Sequence, residues 1–250
     1  MDASDRPPDE PGPARDARAS ATESDAGDDA LPFWDRPETV EKFAGRDPDH
    51  RLLELIDRFD DPSQTGVLDL GCAAGRNTVL LAREGFDVRA VDAAPAMVER
   101  TRERVAEILG PAEAERRVRV GRMEDLGDFP DDRFRLVVAL GVYHQADSRR
   151  GRERALSETA RVLEPGGLVL VAVFHPDSRP DGEPRRRVSE EAPLYEGFHS
   201  GLHYLVGPDE LDREMADHGL RPAEPTETVR TETEEGVRMT INALYRKGEG

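Results

Sequence analysis

Lysine, cysteine and long apolar stretches are scarce in this sequence of 250 residues. Lys42 and Lys247 are its two lysines, so the other 33 of its 35 basic residues are arginines. The single cysteine, Cys72, excludes an internal disulfide and a cysteine-based zinc cluster. No run of about 18 apolar residues exists, and the first residues carry neither a basic head nor an apolar core. We therefore predict no membrane span and no secretory signal, and we expect a cytoplasmic protein.

Acidic residues outnumber basic ones by 53 to 35, which gives a formal net charge of −18. Phosphate contacts need a basic surface, so this balance argues against a nucleic-acid partner. Abundant Asp and Glu with almost no Lys resembles the composition of proteins adapted to high intracellular salt. The charge then reports the solvent more than the partner, and we expect a halophilic protein.

The composition divides the chain into a tail and one large domain. Residues 1–30 contain Pro, Asp, Ala, Ser and Gly with almost no large apolar side chain, which predicts a disordered acidic tail. Residues 31–250 have the length of one domain with a buried core. Within that domain, residues 38–60 predict two short helices, the second with an apolar face.

The stretch VLDLGCAAGRNT, from Val67 to Thr78, organises the rest of the chain. Its apolar start predicts a buried parallel strand, Gly71 to Gly75 predicts a turn, and the residues from Arg76 predict a helix. This order is the first half of a doubly wound nucleotide-binding fold, in which a bare backbone and a helix N-terminus face a ligand.

The glycine turn resembles motif I of the class I S-adenosylmethionine-dependent methyltransferases. The family's usual form is hydrophobic-D-x-G-x-G-x-G, and here Asp69, Gly71 and Gly75 match it, while Ala73 stands at the middle glycine. The resemblance implies an α/β fold, a Rossmann-like three-layer sandwich. Its seven-stranded sheet would be mostly parallel, with an antiparallel last strand. The cofactor it implies is S-adenosyl-L-methionine.

Three further marks follow in the family's order. Asp92 ends the second predicted strand 21 residues after Gly71, close to the ~20 expected for an acid that binds ribose hydroxyls. Its alternative role is to cap the following helix. The turn Pro165-Gly166-Gly167 precedes a fifth strand, and a hairpin over residues 226–245 closes the sheet.

The resemblance places the cofactor at the ends of the first four strands. Met97 is expected to pack on adenine, and Met123 with Glu124 to border it, although Arg122 replaces the family's common aspartate. Asp125 is a second possible acceptor for the adenine amino group. The cofactor-binding residues implied are Asp69, Gly71, Ala73, Gly75, Asp92, Ala93, Met97, Met123, Glu124 and Leu140.

The end of the fourth strand offers candidates for catalysis. Ligands of open parallel sheets bind beyond the carboxyl ends of the strands, so Tyr143 and His144 are candidates to orient the acceptor. His144 is also a candidate general base, because an imidazole titrates near neutrality. The alternative is that His144 caps the next helix or packs beneath the sheet.

The segment 175–207 interrupts the strand and helix pattern with Pro, Arg, Gly and aromatic residues. In the family this segment varies with the acceptor, so the resemblance implies a substrate cap. His199 and His203 are four apart, but nearby glycines argue against a helix that would bring them onto one metal, and we predict no metal. The candidate substrate residues are His175, Tyr195, His199, His203 and Tyr204.

The family's lid helices correspond to residues 38–60. Trp34 and Arg46 beside them either contact the cofactor or pack the lid.

The sequence therefore predicts a methyltransferase that acts on a small-molecule acceptor and has no membrane partner. It does not define the oligomeric state. A cofactor-binding subunit without catalysis, which activates a partner, is the main alternative. An RNA or protein methyltransferase is a further one. An NAD-dependent oxidoreductase shares the fold but lacks its G-x-G-x-x-G fingerprint here. A closed acceptor pocket favours the enzyme, and an exposed apolar face favours the partner-binding subunit.

Overall fold

A computed structural model describes residues 31–249 of the chain. The predicted acidic tail, residues 1–30, lies outside the described residues. Within the described part, none of the helices combines the length and apolar character needed to cross a bilayer.

The main sheet of the described chain has eight strands, and three shorter strands form a second sheet. The strands are β1 Gly66–Leu70, β2 Asp87–Asp92, β3 Val118–Val120, β4 Phe134–Leu140, β5 Leu163–Phe174, β6 Arg186–Arg187, β7 Leu194–Phe198, β8 Gly201–Tyr204, β9 Leu220–Pro222, β10 Glu227–Glu232 and β11 Val237–Lys247. The main sheet has the order β10-β11-β5-β4-β1-β2-β3, and β9 pairs with the outer part of β11.

The predicted α/β fold is confirmed. Strands β1 to β5 pair in parallel, and the last strand, β11, runs antiparallel to β5. The short strand β9 is an addition to the seven strands predicted. Every residue of β1 is buried, because helices cover both faces of a parallel sheet.

Helices alternate with the parallel strands along the chain. They are α1 Pro37–Ala44, α2 His50–Ile56, α3 Arg76–Arg83, α4 Pro95–Leu109, α5 Pro111–Arg117, α6 Arg149–Val162 and α7 Pro208–Asp217. The Asp49 side chain caps α2, and the Ser148 side chain caps α6, by accepting hydrogen bonds from backbone N–H groups of their first turns. The two short helices predicted for residues 38–60 correspond to α1 and α2.

The Pro-Gly-Gly segment differs from its prediction as a turn that precedes the fifth strand. Strand β5 begins at Leu163, which pairs with Phe134, and its next partner pair is Leu168 with Leu136. Residues 164–167 are therefore a bulge inside β5. Gly166 adopts a left-handed φ of 74° there, a conformation that glycine adopts without steric cost.

The segment 175–207, predicted as a cap, contains the small antiparallel sheet β6-β7-β8. Tyr195 of β7 is the partner of His203 of β8, so both side chains lie on one face of that sheet. This sheet follows directly after β5, and it therefore lies at the carboxyl end of the parallel strands.

Candidate functional site

The loop between β1 and α3 is a series of left-handed turns. Gly71, Ala73 and Gly75 have φ values of 72°, 46° and 81°. The backbone N–H groups of Gly71 and Cys72 both donate to the carbonyl oxygen of Val91, at 2.8 and 3.1 Å. The loop is thus attached to the end of β2, at the edge where ligands of open parallel sheets bind.

Two of these positions require glycine because of the protein's own packing. A Cβ atom at Gly71 would lie 2.7 Å from the Cβ of Val142, and one at Gly75 would lie 2.8 Å from the Thr101 side chain. Both distances are shorter than van der Waals contact. Val142, two residues after the end of β4, and Thr101 of α4 therefore pack directly on the bare loop. A bare backbone is needed here whether or not a ligand approaches it.

Ala73 takes the place of the family's middle glycine without disrupting the loop. Its N–H donates to Asp92 Oδ2 at 2.8 Å, and its carbonyl accepts from the Thr101 hydroxyl at 2.7 Å. Its side chain packs against a buried cluster that includes Val40 and Met97. The methyl group is thereby accommodated between α1 and α4.

Asp92 joins the loop to the start of α4. Its Oδ1 accepts from the N–H of Ala94 at 2.9 Å, while Oδ2 holds Ala73. Burial raises the pKa of this carboxyl, and its backbone hydrogen bonds oppose that rise. Ala94 is the N-cap of α4, so the alternative in which Asp92 caps this helix is wrong, and its bond to Ala94 closes the turn before the helix. An ionised carboxylate accepts about four hydrogen bonds, so capacity for ribose hydroxyls remains.

Asp69 lies beneath the loop, 1% exposed, and accepts a hydrogen bond from the Thr78 hydroxyl at 2.6 Å. Burial raises its pKa to about 6, against the effects of Thr78 and Arg76. The carboxylate connects β1 to the first turn of α3. It fixes the direction in which the loop leaves the strand.

Asp35 contributes a contact that sequence reasoning missed. Its Oδ1 accepts from the N–H of Ala96 at 3.0 Å, so it caps α4 from 61 positions away. The available signal was that Ala94, the N-cap residue of α4, has no side-chain oxygen that could accept from the first-turn N–H groups. The segment before α1 is thus held against the end of β2.

The predicted adenine contacts have different placements. Met97 is fully buried between α1 and α4, a position that does not support its predicted contact with adenine. Met123 is half-buried against the main core, and Glu124 is engaged by the Arg122 guanidinium at 2.6 Å. Asp125 and Ala93 are exposed, and Leu140 is half-buried at the end of β4.

Comparisons with known proteins agree with this geometry. The family described as "Methyltransferase domain" matches residues 67–167, from β1 through the glycine loop and Asp92 to the bulge in β5. The chain therefore contains a methyltransferase domain.

The curated relatives are similar to only part of the chain. The methyltransferase GfsG of Streptomyces halstedii is 30% identical over 148 residues, which cover 56% of this chain and 48% of that protein. The chain thus spans about half the length of the curated relatives it matches.

Two solved structures share the fold. A SAM-dependent methyltransferase of Methanosarcina mazei has a TM-score of 0.60 at 18% identity, covering 82% of this chain and all of that one. The 1,6-didemethyltoxoflavin-N1-methyltransferase of Burkholderia thailandensis, solved with its substrate and S-adenosylhomocysteine, has a TM-score of 0.56 at 19% identity. That alignment covers 84% of this chain and 78% of the other.

Tyr143 lies in the core. Its ring is fully buried, and its hydroxyl is 2.8 Å from the Thr159 hydroxyl of α6, which in turn donates to the carbonyl of Ala155. The hydroxyl is therefore committed to a structural hydrogen bond beneath the sheet. This placement speaks against its predicted role in orienting an acceptor.

His144, the next residue, points toward the cap and is 4% exposed. Its ring stacks on Phe174 at 4.6 Å and lies 4.9 Å from the ring of His203, between centroids. Burial, with the nearby His203 and Arg152, holds its pKa well below 6.5, so the ring is neutral at pH 7. His144 does not cap α6, because Ser148 does.

A column of rings attaches the cap to the strand ends. His203 lies 3.8 Å from Phe198 and 6.1 Å from Phe174 between centroids, with interplanar angles of 14° and 15°. The Arg185 guanidinium covers the outer face of Phe198 at 4.5 Å. The structure therefore brings together two of the predicted residues, His144 and His203, through aromatic side chains from β5 and β7.

The other predicted substrate residues are spread over the cap. His175 accepts from the N–H of Asp177 through Nδ1 at 3.1 Å. His199 is exposed, and its ring stacks on Phe33 at 6.2 Å, so the cap touches the segment before α1. Tyr195 is half-buried beside His203, and Tyr204 is 1% exposed, under the Arg152 guanidinium at 5.4 Å.

Several buried polar atoms around this cap have no hydrogen-bond partner among the described residues. They are His144 Nδ1, His203 Nδ1, Tyr204 Oη, Arg152 Nη1 and Arg185 Nε. Unpaired buried polar atoms are costly, because each has lost its hydration without a replacement. The cap interface is therefore less completely satisfied than the glycine loop.

Proposed function

We propose that this protein binds S-adenosyl-L-methionine and transfers its methyl group to a small-molecule acceptor. The observation that carries the proposal is the connection, within a methyltransferase domain, between the glycine loop and Asp92. This connection lies at the strand ends where the fold binds nucleotides.

The residues present fit that cofactor. The loop from Gly71 to Gly75 exposes backbone on a bare turn, and Asp92 retains acceptor capacity for ribose hydroxyls beyond its two backbone contacts. Ala73 supports this fit, because its methyl group packs between α1 and α4. Met123 and Glu124 remain the proposed border of the adenine ring.

When bound, the cofactor supplies a methyl group already activated by a positively charged sulfur. The task of the protein is then mainly to hold acceptor and methyl in line, which saves about 7–11 kcal/mol of barrier in well-oriented reactions. Asp92 and the glycine loop would fix one reactant, and the cap, residues 175–207, would fix the other. The stacked rings of Phe174, Phe198 and His203 would exclude water from the ends of β4 and β5.

A small-molecule acceptor is favoured by the cap and by a relative. The rings of Phe174, Phe198 and His203 stack on one another beyond β5, so an acceptor bound there would contact aromatic surface. The structural neighbour from Burkholderia thailandensis is named for a small-molecule acceptor. The cytoplasmic location and the adaptation to high salt remain parts of this proposal.

His144 is retained as a possible general base. It is neutral at pH 7 and its Nδ1 is unpartnered, so it can accept a proton, but the depressed pKa makes it a weak base. A general base typically contributes 10²- to 10⁴-fold to rate. Ring packing against Phe174 is the competing explanation for its position.

A cofactor-binding subunit without catalysis is the second candidate function. It predicts an exposed apolar face near the site for a partner. In the cap, Val188 and Leu202 are the large apolar side chains that are exposed, at 38% and 40%. Val120 at the end of β3 is also exposed, at 50%, and because these three residues lie on different elements, they favour the enzyme over the partner-binding subunit.

Thermal unfolding in molar potassium chloride tests cofactor binding. S-adenosylhomocysteine at 100 times its Kd is expected to add about 2.7 kcal/mol of stability, and NAD none. Asp92→Ala should abolish the effect, whereas Asp128→Ala, which removes an exposed carboxylate that pairs with Arg119, should retain it. The proposal would be rejected if NAD alone stabilised the protein. It would also be rejected if neither S-adenosylmethionine nor S-adenosylhomocysteine stabilised it at saturation.

Methyl transfer from labelled S-adenosylmethionine to a panel of phenols, amines, thiols and carboxylic acids tests the chemistry. His144→Phe keeps a ring between Phe174 and His203 and removes the nitrogen atoms. If His144 is the base, the variant should bind S-adenosylhomocysteine within about twofold of wild type and lose about 10²-fold or more in turnover. Unchanged turnover would leave packing as its role.

A further inference from the structure

A cavity of about 320 Å³ lies on the outer side of α3. The side chains of Thr78, Leu81 and Ala82 are buried on the opposite side of this helix. The cavity is bordered by the connection between α1 and α2, by α3 and by one side chain of α4. Its lining residues are Ala44, Gly45, Arg46, Asp47, Pro48, Arg76, Val79, Leu80, Arg83 and Arg104.

Four guanidinium groups and one carboxylate line this cavity. Arg76 donates to the carbonyl of Asp47 at 3.2 Å, and Arg104 donates to the carbonyl of Ala74 at 2.6 Å. Arg46 lies over the ring of Phe43 at 3.9 Å. Among residues 31–249, none of these four arginines forms an ion pair, and Arg83 makes no side-chain hydrogen bond.

Carboxylates are abundant in the chain, and many of its arginines pair with them. Elsewhere Arg161 pairs with both Glu158 and Asp131, and Asp87 is contacted by three arginines. Acidic residues outnumber basic ones by 53 to 35. Four arginines without an ion pair around one concave surface are therefore a local concentration of positive charge on an acidic protein.

The positive charges also repel one another. Burial and the neighbouring Arg76 and Arg238 lower the pKa of Arg46, and burial with Arg100 and Arg83 lowers that of Arg104. A guanidinium remains protonated despite such shifts. Asp47 lines the cavity as well, and Glu107 and Glu41 partly offset the charge at Arg104, so one carboxylate faces four guanidinium groups and an anion would reduce their repulsion.

We propose that this cavity binds a phosphorylated small molecule. The planar guanidinium forks suit phosphate oxygens, which accept paired hydrogen bonds from them. Val79, Leu80 and Pro48 provide apolar surface for the organic part of the ligand. The volume lies near the lower end of ligand sites, about 300–1,000 Å³. The four arginines surround one cavity and do not form a stripe, which favours a small molecule over a nucleic acid.

The site is separate from the proposed cofactor position. It lies on the outer side of α3, whereas Asp92 and the bare loop lie at the strand ends. The two are in contact through the hydrogen bond from Arg104 to the carbonyl of Ala74. The proposal stands whether or not the chain transfers methyl groups.

Calorimetric titration with inorganic tripolyphosphate tests the site. It is made at the lowest potassium chloride concentration that preserves the far-UV circular dichroism spectrum. We expect one saturable site, weakened at least tenfold in Arg83→Gln and in Arg46→Gln, the order expected from one charge-assisted hydrogen bond. Arg213→Gln, which removes an exposed arginine from α7, should change the Kd less than twofold.

Three results would overturn the proposal. The first is the absence of saturable tripolyphosphate binding by the folded wild type. The second is a loss of affinity in Arg213→Gln equal to that in Arg83→Gln. The third is that a single-stranded RNA oligonucleotide binds more tightly than tripolyphosphate, with the same dependence on Arg83. In the absence of phosphate, Arg83→Gln should retain the wild-type affinity for S-adenosylhomocysteine, since Arg83 lies away from the glycine loop. If neither protein binds S-adenosylhomocysteine while tripolyphosphate still binds, the methyltransferase proposal fails and the anion site remains.

Discussion

The glycine loop and the cap are stabilised by different kinds of contact. In the loop, backbone groups of Gly71 and Ala73 are held at fixed distances by Val91 and Asp92. In the cap, rings such as Phe198 and His203 stack, and several buried polar atoms remain without partners. Hydrogen bonds fix direction as well as distance, whereas apolar ring contacts constrain orientation less strongly.

The difference indicates which part of the site is already formed and which part adapts. The loop has its final shape through contacts within the protein, so a ligand there meets a preorganised surface. The cap retains polar atoms that a ligand or water can satisfy. We therefore expect the loop to determine cofactor affinity and the cap to determine acceptor choice.

The largest expected effect comes from adding a methyl group to the loop. Gly71→Ala forces a left-handed conformation and a Cβ contact of 2.7 Å with Val142, which together should cost about 2–5 kcal/mol. Gly85→Ala has a similar φ of 84° but open space around it, and should cost about 1–2 kcal/mol. Urea unfolding measures both. Equal losses would show that the loop is loosely packed.

A smaller effect on the free energy of unfolding is expected when the pH is lowered, through His203 in the cap. Burial lowers the pKa of His203 from 6.5 to about 4, so below pH 6.5 the unfolded chain takes up a proton that the folded chain refuses. Stability should therefore fall between pH 6.5 and 4. Burial of Asp69 acts in the opposite direction, because its raised pKa favours the folded state in acid.

The His203→Asn variant isolates this contribution. Wild type should lose about 2–3 kcal/mol more than the variant between pH 7 and 4, from urea unfolding at constant salt. His50→Asn, which removes an exposed imidazole, should behave like wild type. Parallel pH profiles for wild type and His203→Asn would mean that the imidazole is hydrated in the folded protein.

The smallest effect is expected at the segment that borders both regions. Asp35→Ala removes the acceptor for the N–H of Ala96 and should cost about 1 kcal/mol, the usual value of a helix cap. Hydrogen exchange should be faster at Ala96 and unchanged in α6. Glu38→Ala, on the exposed side of α1, is the matched control. Unaltered hydrogen exchange at Ala96 would show that the Asp35 contact does not stabilise the start of α4.

Sequence reasoning succeeded where the information is local. The strand, glycine turn and helix from Val67 to Arg83 follow from consecutive residues, and the fold class follows from the order of such units. Ala73, at the position of the family's middle glycine, adopts a left-handed φ of 46° that the sequence analysis did not predict. The bulge at residues 164–167 was missed because pairing with β4 decides whether a Pro-Gly-Gly segment lies before a strand or inside it.

Long-range contacts account for the other differences. Tyr143 was expected to face the site, but its ring fits a pocket lined from α6, where Thr159 satisfies its hydroxyl. Met97 is buried because α1, far away in the sequence, covers it. The pairing of His144 with His203 depends on how the cap docks. No periodicity in the sequence encodes such contacts, so they could not be predicted from it.

The position of β11 has a consequence for synthesis of the protein. This strand is the last one in the described chain, yet it lies inside the sheet, between β5 and β10. Until it emerges, β5 presents an unpaired apolar edge to the cell, a surface that promotes association with other chains. Among the described strands, β5 is therefore most exposed to aggregation just before β11 is made.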